Sequence, residues 1–184
     1  MNESRRLLQH FLAALAYRTQ KALRGAPEAY GSFRIGPTTR TPKELVWHMT
    51  GVIGFAGTTL HGGTFAAPRL PSFADEVARF HDTLAALHAD FGNETLTASM
   101  SDERLLQGPL SDAMTHAGQL AMLRRLAGSP VASENFIFAR VDASNVSEDQ
   151  AEPAAPDAWW RPEDPPKPPG KFKSTEADDI KPND

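Results

Sequence analysis

The sequence contains no cysteine, and this absence excludes several kinds of chemistry at once. Disulfides, thiolate metal sites and cysteine nucleophiles are all ruled out, because each of them needs a cysteine sulfur. No run of about 18–20 apolar residues is present, so no membrane-spanning helix is predicted. The apolar stretch near the N-terminus has no small-residue cleavage pattern and is interpreted as a first helix, which makes the cytoplasm the default location.

Common nucleotide-binding and hydrolase motifs are missing as well. The sequence has no Walker A loop, no Gly-x-Gly-x-x-Gly and no Gly-x-Ser-x-Gly. The net charge of −4 arises after residue 134, where acidic residues are in excess, and no dense basic stretch occurs before it. We therefore expect no nucleic-acid partner, since nucleic-acid interfaces carry clustered lysine and arginine.

Proline is unevenly distributed and divides the chain into two parts. Eight of the fifteen prolines lie in residues 151–184, where they exclude a regular helix, because proline removes a donor and clashes with the preceding turn. We predict one domain over residues 1–133, followed by an extended, Pro-rich strap and disordered tail over residues 134–184. Trp159 and Trp160 favour partial docking of this strap, since two adjacent tryptophans are costly to leave in water.

Apolar residues recur at helical spacing in four segments before the strap. The spacing predicts helices over residues 3–23, 41–60, 110–127 and a stretch that begins at residue 72. Thr41 and Glu44 have the spacing of a capping box, and Gly128 is a typical C-terminal stop. A short helical turn over residues 101–106 is predicted to end at Gly108-Pro109. Four helices with one apolar face each predict an all-α, four-helix bundle.

Three polar side chains fall on or beside the predicted inward faces. His48 borders the apolar stripe of the second long helix, while Asp112 and His116 lie one turn apart on the fourth. Facing helices can bring two imidazoles and one carboxylate together, and this set suits a divalent metal such as Zn, Ni, Fe or Mn. Three protein ligands leave positions open for water or a substrate thiolate. The alternative is a metal-free Asp112–His116 hydrogen bond, with Asp112 favoured by the helix dipole.

The other histidines and a pair of arginines give weaker signals. His61 borders a glycine turn and is predicted to lie at the surface. His81 and His88 are seven residues apart on the third helix, away from its apolar stripe, and are predicted to be solvated. Arg124 and Arg125 are predicted to interact with the dipole of their own helix, with an anion contact at the mouth of the site as the alternative.

Three segments resemble the DinB-like family. The last bundle helix of that family is similar to residues 112–131, DAMTHAGQLAMLRRLAGSPV, in which a histidine precedes Gly-Gln, Leu-Arg-Arg and Gly-x-Pro. The family's second helix resembles residues 41–52, TPKELVWHMTGV, with His48 at the position of its histidine. An extension found in one branch of the family resembles residues 134–153.

The resemblance implies a four-helix bundle, usually a homodimer, with a metal held by one histidine of helix two and two ligands of helix four. The usual pattern on helix four is His-x-x-x-His, and Asp112 stands where the first of these histidines would be. Aspartate is a competent ligand, but it adds negative charge and makes the metal a weaker Lewis acid.

Relatives in that family include enzymes that transfer low-molecular-weight thiols and others that isomerise small acids with a thiol. The implied function is a metal-dependent thiol transferase or hydrolase that acts on a small molecule. The alternative is a non-catalytic stress-response or binding protein with a structural or vacant metal site. No catalytic residue beyond the metal ligands is predicted, because fold resemblance does not specify the reaction.

Overall fold

The computed structural model describes residues 3–154 of the 184-residue chain. Within this range the chain forms four long helices and one short one, namely α1 (Glu3–Leu23), α2 (Pro42–His61), α3 (Phe73–Gly92), the single turn α4 (Asp102–Leu105) and α5 (Ser111–Leu126). No strand occurs between residues 3 and 154, which confirms the predicted all-α class. None of the described helices is long and apolar enough to cross a membrane.

The four long helices form a bundle in which each helix packs mainly against two neighbours. Both α1 and α2 contact α3 and α5, so α1 lies diagonally opposite α2. Each long helix contributes fully buried apolar side chains to one shared core, including Leu12, Ile53, Phe80 and Leu120. Burying a side chain of this size contributes about 1.5–3 kcal/mol. The predicted four-helix bundle is confirmed, and the α2–α5 contact places the predicted ligand helices side by side.

The helix starts follow the capping signals in the sequence. Thr41 Oγ1 accepts a hydrogen bond from the Glu44 amide at 3.2 Å, and Glu44 Oε2 accepts one from the Thr41 amide at 2.9 Å. Ser72 and Asp75 form a second capping box at the start of α3. These paired bonds satisfy amides that a helix N-terminus leaves without partners. They therefore confirm the predicted starts of α2 and α3.

The predicted break at Gly108-Pro109 is wrong. A π-helical turn, Leu106–Leu110, carries α4 directly into α5. This wider turn accommodates proline, which has no N–H to donate and clashes within a regular helical turn. Leu110 has helical backbone angles, so Asp112 does not follow a free helix start. The stabilisation of Asp112 by an open helix N-terminus, part of the metal-free alternative, loses its basis.

After α5 the described chain crosses the bundle surface as a strap over residues 134–154. Glu134 accepts a hydrogen bond from the Tyr17 hydroxyl of α1 at 2.7 Å. Val146 is buried against the core, and the Arg24 guanidinium donates to the Gln150 carbonyl at 2.6 Å. This part of the predicted strap therefore packs on the bundle, while Trp159 and Trp160 lie outside the described residues. The division into domains at residue 133 stays a prediction.

Candidate metal centre

The three predicted ligands meet where α2 faces α5. His48 Nε2 lies 3.2 Å from Asp112 Oδ2, and His116 Nε2 lies 3.5 Å from Asp112 Oδ1. One ligand atom from each residue lies within 4.8 Å of the other two. The two imidazole rings are 4.8 Å apart and nearly perpendicular, at 79°. The described chain therefore contains a His/Asp/His group that could hold a metal, although metal binding itself stays a prediction.

The helices place each side chain at a different depth. His116 is the innermost, with 10% of its side chain exposed, because it lies on the buried face of α5 beside Ala113 and Ala117. His48 is 26% exposed, and Asp112 is 45% exposed. The carboxylate is thus the outermost member of the group, and solvent reaches the site from its side.

A hydrogen bond to Gln119 determines which ring nitrogen of His116 carries a proton. Its Oε1 lies 2.8 Å from His116 Nδ1, one turn further along α5. An amide oxygen can only accept a hydrogen bond, so Nδ1 carries the proton and donates it. In the neutral ring Nε2 is then unprotonated, and it points toward Asp112 and His48. This is the tautomer that a metal requires, and outer hydrogen bonds of this kind orient histidine ligands in metalloproteins.

The donor atoms fit a divalent ion. Bonds of about 2.0–2.2 Å in a tetrahedral site place donor atoms about 3.3 Å apart. The distance from His48 Nε2 to Asp112 Oδ2 is 3.2 Å, and the distance from His116 Nε2 to the other oxygen, Oδ1, is 3.5 Å. Both distances are close to this spacing. The widest spacing in the group, at most 4.8 Å, exceeds it, so binding would draw the ligands together. The lone pair of His116 Nε2 also faces a carboxylate oxygen, a repulsive arrangement that a cation between them would make attractive.

The electrostatic surroundings keep His48 neutral. Burial has the largest effect and lowers the pKa of His48, and Arg40 and the neighbouring imidazole of His116 lower it further. Asp112 opposes this shift without reversing it. Since the pKa lies below the ordinary histidine value of about 6.5, the imidazole is uncharged at pH 7. Neutral imidazole is the form that ligates metals.

Glu44 lies one turn before His48 on α2 and is the candidate for the general base that hydrolysis would need. Its Oε2 accepts from the Thr41 amide and also from the Arg34 guanidinium at 2.9 Å. Its Oε1 accepts from Arg69 at 3.3 Å. Hydrogen bonding at the helix start, together with both arginines, holds the pKa of Glu44 below its ordinary value. Glu44 therefore caps α2 and pairs with arginines.

Arg124 has a structural role that its sequence position did not reveal. It is 3% exposed, and its Nη1 lies 3.1 to 3.4 Å from the carbonyl oxygens of Ala22, Leu23 and Arg24. These carbonyls end α1, so Arg124 caps a neighbouring helix. Arg124 also lies in the last turn of α5 and donates to the Ser129 carbonyl just beyond it, so the predicted interaction with its own helix end stands. The alternative, an anion contact at the site, is wrong for Arg124, because its Nη1 is engaged at the end of α1.

The prediction of solvated histidines on α3 is also wrong. His81 is 4% exposed, and its Nδ1 donates to the Val146 carbonyl at 2.8 Å. His88 is half-buried, with Nε2 at 2.9 Å from the Ala143 carbonyl. The strap covers this face of α3, and local periodicity contains no information about such long-range cover. His61 lies at the surface as predicted, 2.9 Å from Asp90.

Sequence reasoning noticed Gln119 only as part of the Gly-Gln resemblance. Its position three residues after His116 was the available signal, since i and i+3 side chains are neighbours on a helix.

Comparisons of the chain with protein-family profiles, with curated proteins and with solved structures found no match.

Proposed function

We propose that this protein is a divalent-metal-binding member of the DinB-like family, with His48, Asp112 and His116 as the metal ligands. The observation that carries the proposal is the meeting of these three side chains where α2 faces α5, with one ligand atom of each residue within 4.8 Å of the other two. The hydrogen bond between His116 Nδ1 and Gln119 Oε1 leaves Nε2 of that ring facing a carboxylate oxygen 3.5 Å away. The resemblance in residues 41–52 and 112–131 gives independent support.

The reaction that this site supports best is thiol transfer to a small electrophile. A bound divalent ion would supply Lewis-acid chemistry, lowering the pKa of a thiol or water that reaches it. Hydrolysis usually needs a protein base beside the open position, and the carboxylate of Glu44 is already engaged by the α2 cap and two arginines. Thiol transfer makes no such demand once the thiol has lost its proton. Hydrolysis of a small molecule is the less favoured form of the same proposal.

A non-catalytic metal-binding role is the second candidate, and the same engagement of Glu44 favours it. A stress-response or binding protein could use the ion to join α2 to α5 without any turnover. The two candidates differ in one measurable property, because only the first predicts product formation that depends on the metal.

Elemental analysis and metal titration of purified variants test the ligand assignment. We expect His48→Ala and His116→Ala each to abolish stoichiometric binding, and Asp112→His to keep or strengthen it. His61→Ala is the matched control, since it removes a histidine from the far end of α2 and leaves the site intact. Stoichiometric binding that survives in a His48→Ala/His116→Ala double variant contradicts the assignment.

Activity is tested with the same proteins and a panel of thiols and electrophiles. The enzyme hypothesis predicts conjugate formation that stops on addition of a chelator and in the His116→Ala variant. A protein that binds one equivalent of metal but gives no product with any pair on the panel supports the non-catalytic role.

A further inference from the structure

A groove of about 600 Å³ lies directly beside the triad. Gly51, Val52 and Phe55 of α2 form one wall, and the π-helical turn with the start of α5, as far as Thr115, forms the other. Asp112 belongs to both the groove and the triad. We call this space the α2–α5 groove. Its volume lies within the range of about 300–1,000 Å³ that is usual for small-molecule sites.

The lining of the groove is apolar or neutral. Val52, Phe55 and Pro109 supply apolar surface, and the polar lining residues other than Asp112 carry no charge. Among the described residues that line the groove, Asp112 is the only one with an ionisable side chain. Phe55 is 47% exposed there, because it lies on the side of α2 that faces away from the bundle core. A large aromatic ring at the edge of a groove is a favourable surface for an apolar ligand.

The groove is also the open approach to the triad. His116 is almost covered, while Asp112 is the most exposed of the three residues and forms part of the groove lining. A molecule that reaches the ligand atoms from solvent on this side therefore lies against the groove walls.

Glycine at position 51 keeps the groove open. A Cβ added at Gly51 would meet no atom within 4 Å outside its own stretch of helix. Packing among the described residues therefore does not require glycine there, in contrast to Gly54, where the Phe65 ring would lie only 2.3 Å from an added Cβ. A side chain larger than hydrogen at position 51 would project into space that a ligand could use.

We propose that the α2–α5 groove binds the tail of the substrate, and that the substrate of this site is a small molecule with an apolar tail of about one ring. The inference rests on the proposed metal site and specifies the class of thiol that the site takes. The thiol group reaches the triad and releases its proton to solvent on binding, while the tail lies between Phe55 and Pro109.

Binding to protein loaded with Co(II) tests the inference without any turnover assay. Sulfur-to-Co(II) charge-transfer absorption reports the bound thiol, and two uncharged thiols that differ in their tails, benzyl mercaptan and 2-mercaptoethanol, measure the preference. We expect benzyl mercaptan to bind about tenfold more tightly than 2-mercaptoethanol, as partial burial of one ring allows.

Gly51→Leu is the decisive variant, and Gly57→Leu is its control. Both replace a glycine of α2 where an added Cβ meets nothing within 4 Å, but only Gly51 lines the groove. We expect Gly51→Leu to retain Co(II) and lose the preference for benzyl mercaptan, and Gly57→Leu to retain both. Phe55→Ala, at a half-exposed position one turn further along the same wall, should reduce the same preference.

The outcomes distinguish the two levels of the proposal. Co(II) binding with equal affinity for the two thiols overturns the groove inference and leaves the metal site standing. Preference that persists in both Gly51→Leu and Phe55→Ala does the same. A Gly51→Leu protein whose mass by light scattering falls by half, with unchanged preference, assigns the groove to a second copy of the chain. Failure of the unaltered protein to bind Co(II) overturns both proposals.

Discussion

At the residue scale, Gln119 shapes the candidate site without being one of its ligands. The amide fixes the tautomer of His116 and holds the ring in place, because a bonded Nδ1–H resists rotation of the imidazole. Asp112 acts differently: its two oxygens face two different imidazoles, so one carboxylate links both helices.

Gln119→Leu should weaken metal binding by about 10- to 100-fold, the usual cost of losing an outer hydrogen bond to a histidine ligand. Gln119→Glu should keep or increase affinity, because a carboxylate accepts the same bond and makes the imidazole more basic. Competition with a chromophoric chelator measures both values. Gln9→Leu is the control, since Gln9 bonds the His88 carbonyl far from the site. Equal affinities for Gln119→Leu and the unaltered protein would contradict the assigned role.

At the element scale, two contacts join segments that are distant in sequence. Arg124 of α5 closes the C-terminal end of α1, and His81 of α3 holds the strap through the Val146 carbonyl. Both side chains are buried and polar, and such groups are costly to bury unless they are hydrogen-bonded. Each contact should therefore be visible in the stability of the whole bundle.

Arg124→Met should lower the free energy of unfolding by about 2–4 kcal/mol. It removes charge-assisted hydrogen bonds to the last carbonyls of α1 and leaves those acceptors without partners inside the protein. Arg125→Met, the same change at the exposed neighbouring position, is expected to cost less than about 1 kcal/mol. Urea unfolding followed by circular dichroism measures the difference. Equal losses for the two variants would refute the capping role.

His81 should make the fold sensitive to mild acid. Burial lowers the pKa of His81, and the nearby charges of Glu148 and Asp82 oppose this effect only in part. A second proton would have to go to Nε2, which is buried and has no hydrogen-bond partner among the described residues. Below the ordinary histidine pKa of about 6.5 the unfolded chain binds a proton at this residue, whereas the folded chain does not. The free energy of unfolding therefore decreases as the pH is lowered. The loss stops once the pH passes the lower folded-state pKa.

Urea unfolding in the presence of chelator at pH 7 and pH 5 measures this contribution. We expect His81→Asn to lose less stability than the unaltered protein over this interval, by up to about 1.4 kcal/mol for each unit of pKa shift. Asparagine keeps a donor for the Val146 carbonyl but does not titrate. His88→Asn, at the half-buried position beside Ala143, controls for general effects of the substitution. An unchanged difference between pH 7 and pH 5 in His81→Asn would show that His81 does not titrate in this range.

At the scale of the whole molecule, a metal between α2 and α5 should stabilise the bundle. Binding to the folded state alone contributes about 2.7 kcal/mol at one hundred times the dissociation constant, which is a rise in Tm of about 5–10 °C for a chain of this size. Thermal unfolding with added Zn(II), and then with EDTA, measures the change. The His48→Ala/His116→Ala double variant should show no rise. A rise of the same size in that variant would place the metal elsewhere.

We propose that the protein is a homodimer, as the family resemblance implies. Four small residues of α2, namely Gly51, Gly54, Ala56 and Gly57, have the size that close approach of a second helix requires, but they have different surroundings. The Phe65 ring covers Gly54, and Ala56 lies in the core, whereas Gly51 and Gly57 remain open on the described surface. Light scattering at micromolar concentration should give twice the monomer mass, and a monomeric mass would contradict the proposal.

The sequence by itself determined the elements and half of the site. Helical periodicity, two capping boxes and the stop at Gly128 specify the long helices, because these signals act within a few residues. The i, i+4 spacing of Asp112 and His116 placed two ligands on one helix face for the same reason. The position of His48 beside the apolar stripe of the second helix predicted that it joins them, and the packing of α2 on α5 brings the three residues together.

Only the tertiary structure decided the features that depend on distant segments. The junction between α4 and α5 is a π-helical turn that contains Pro109, where local rules predicted a break. The burial of His81 under the strap and the reach of Arg124 to α1 arise from contacts more than sixty residues apart in the chain. Such contacts depend on how whole helices pack, which is the sum of many weak interactions across the core, and no local pattern in the sequence encodes that sum.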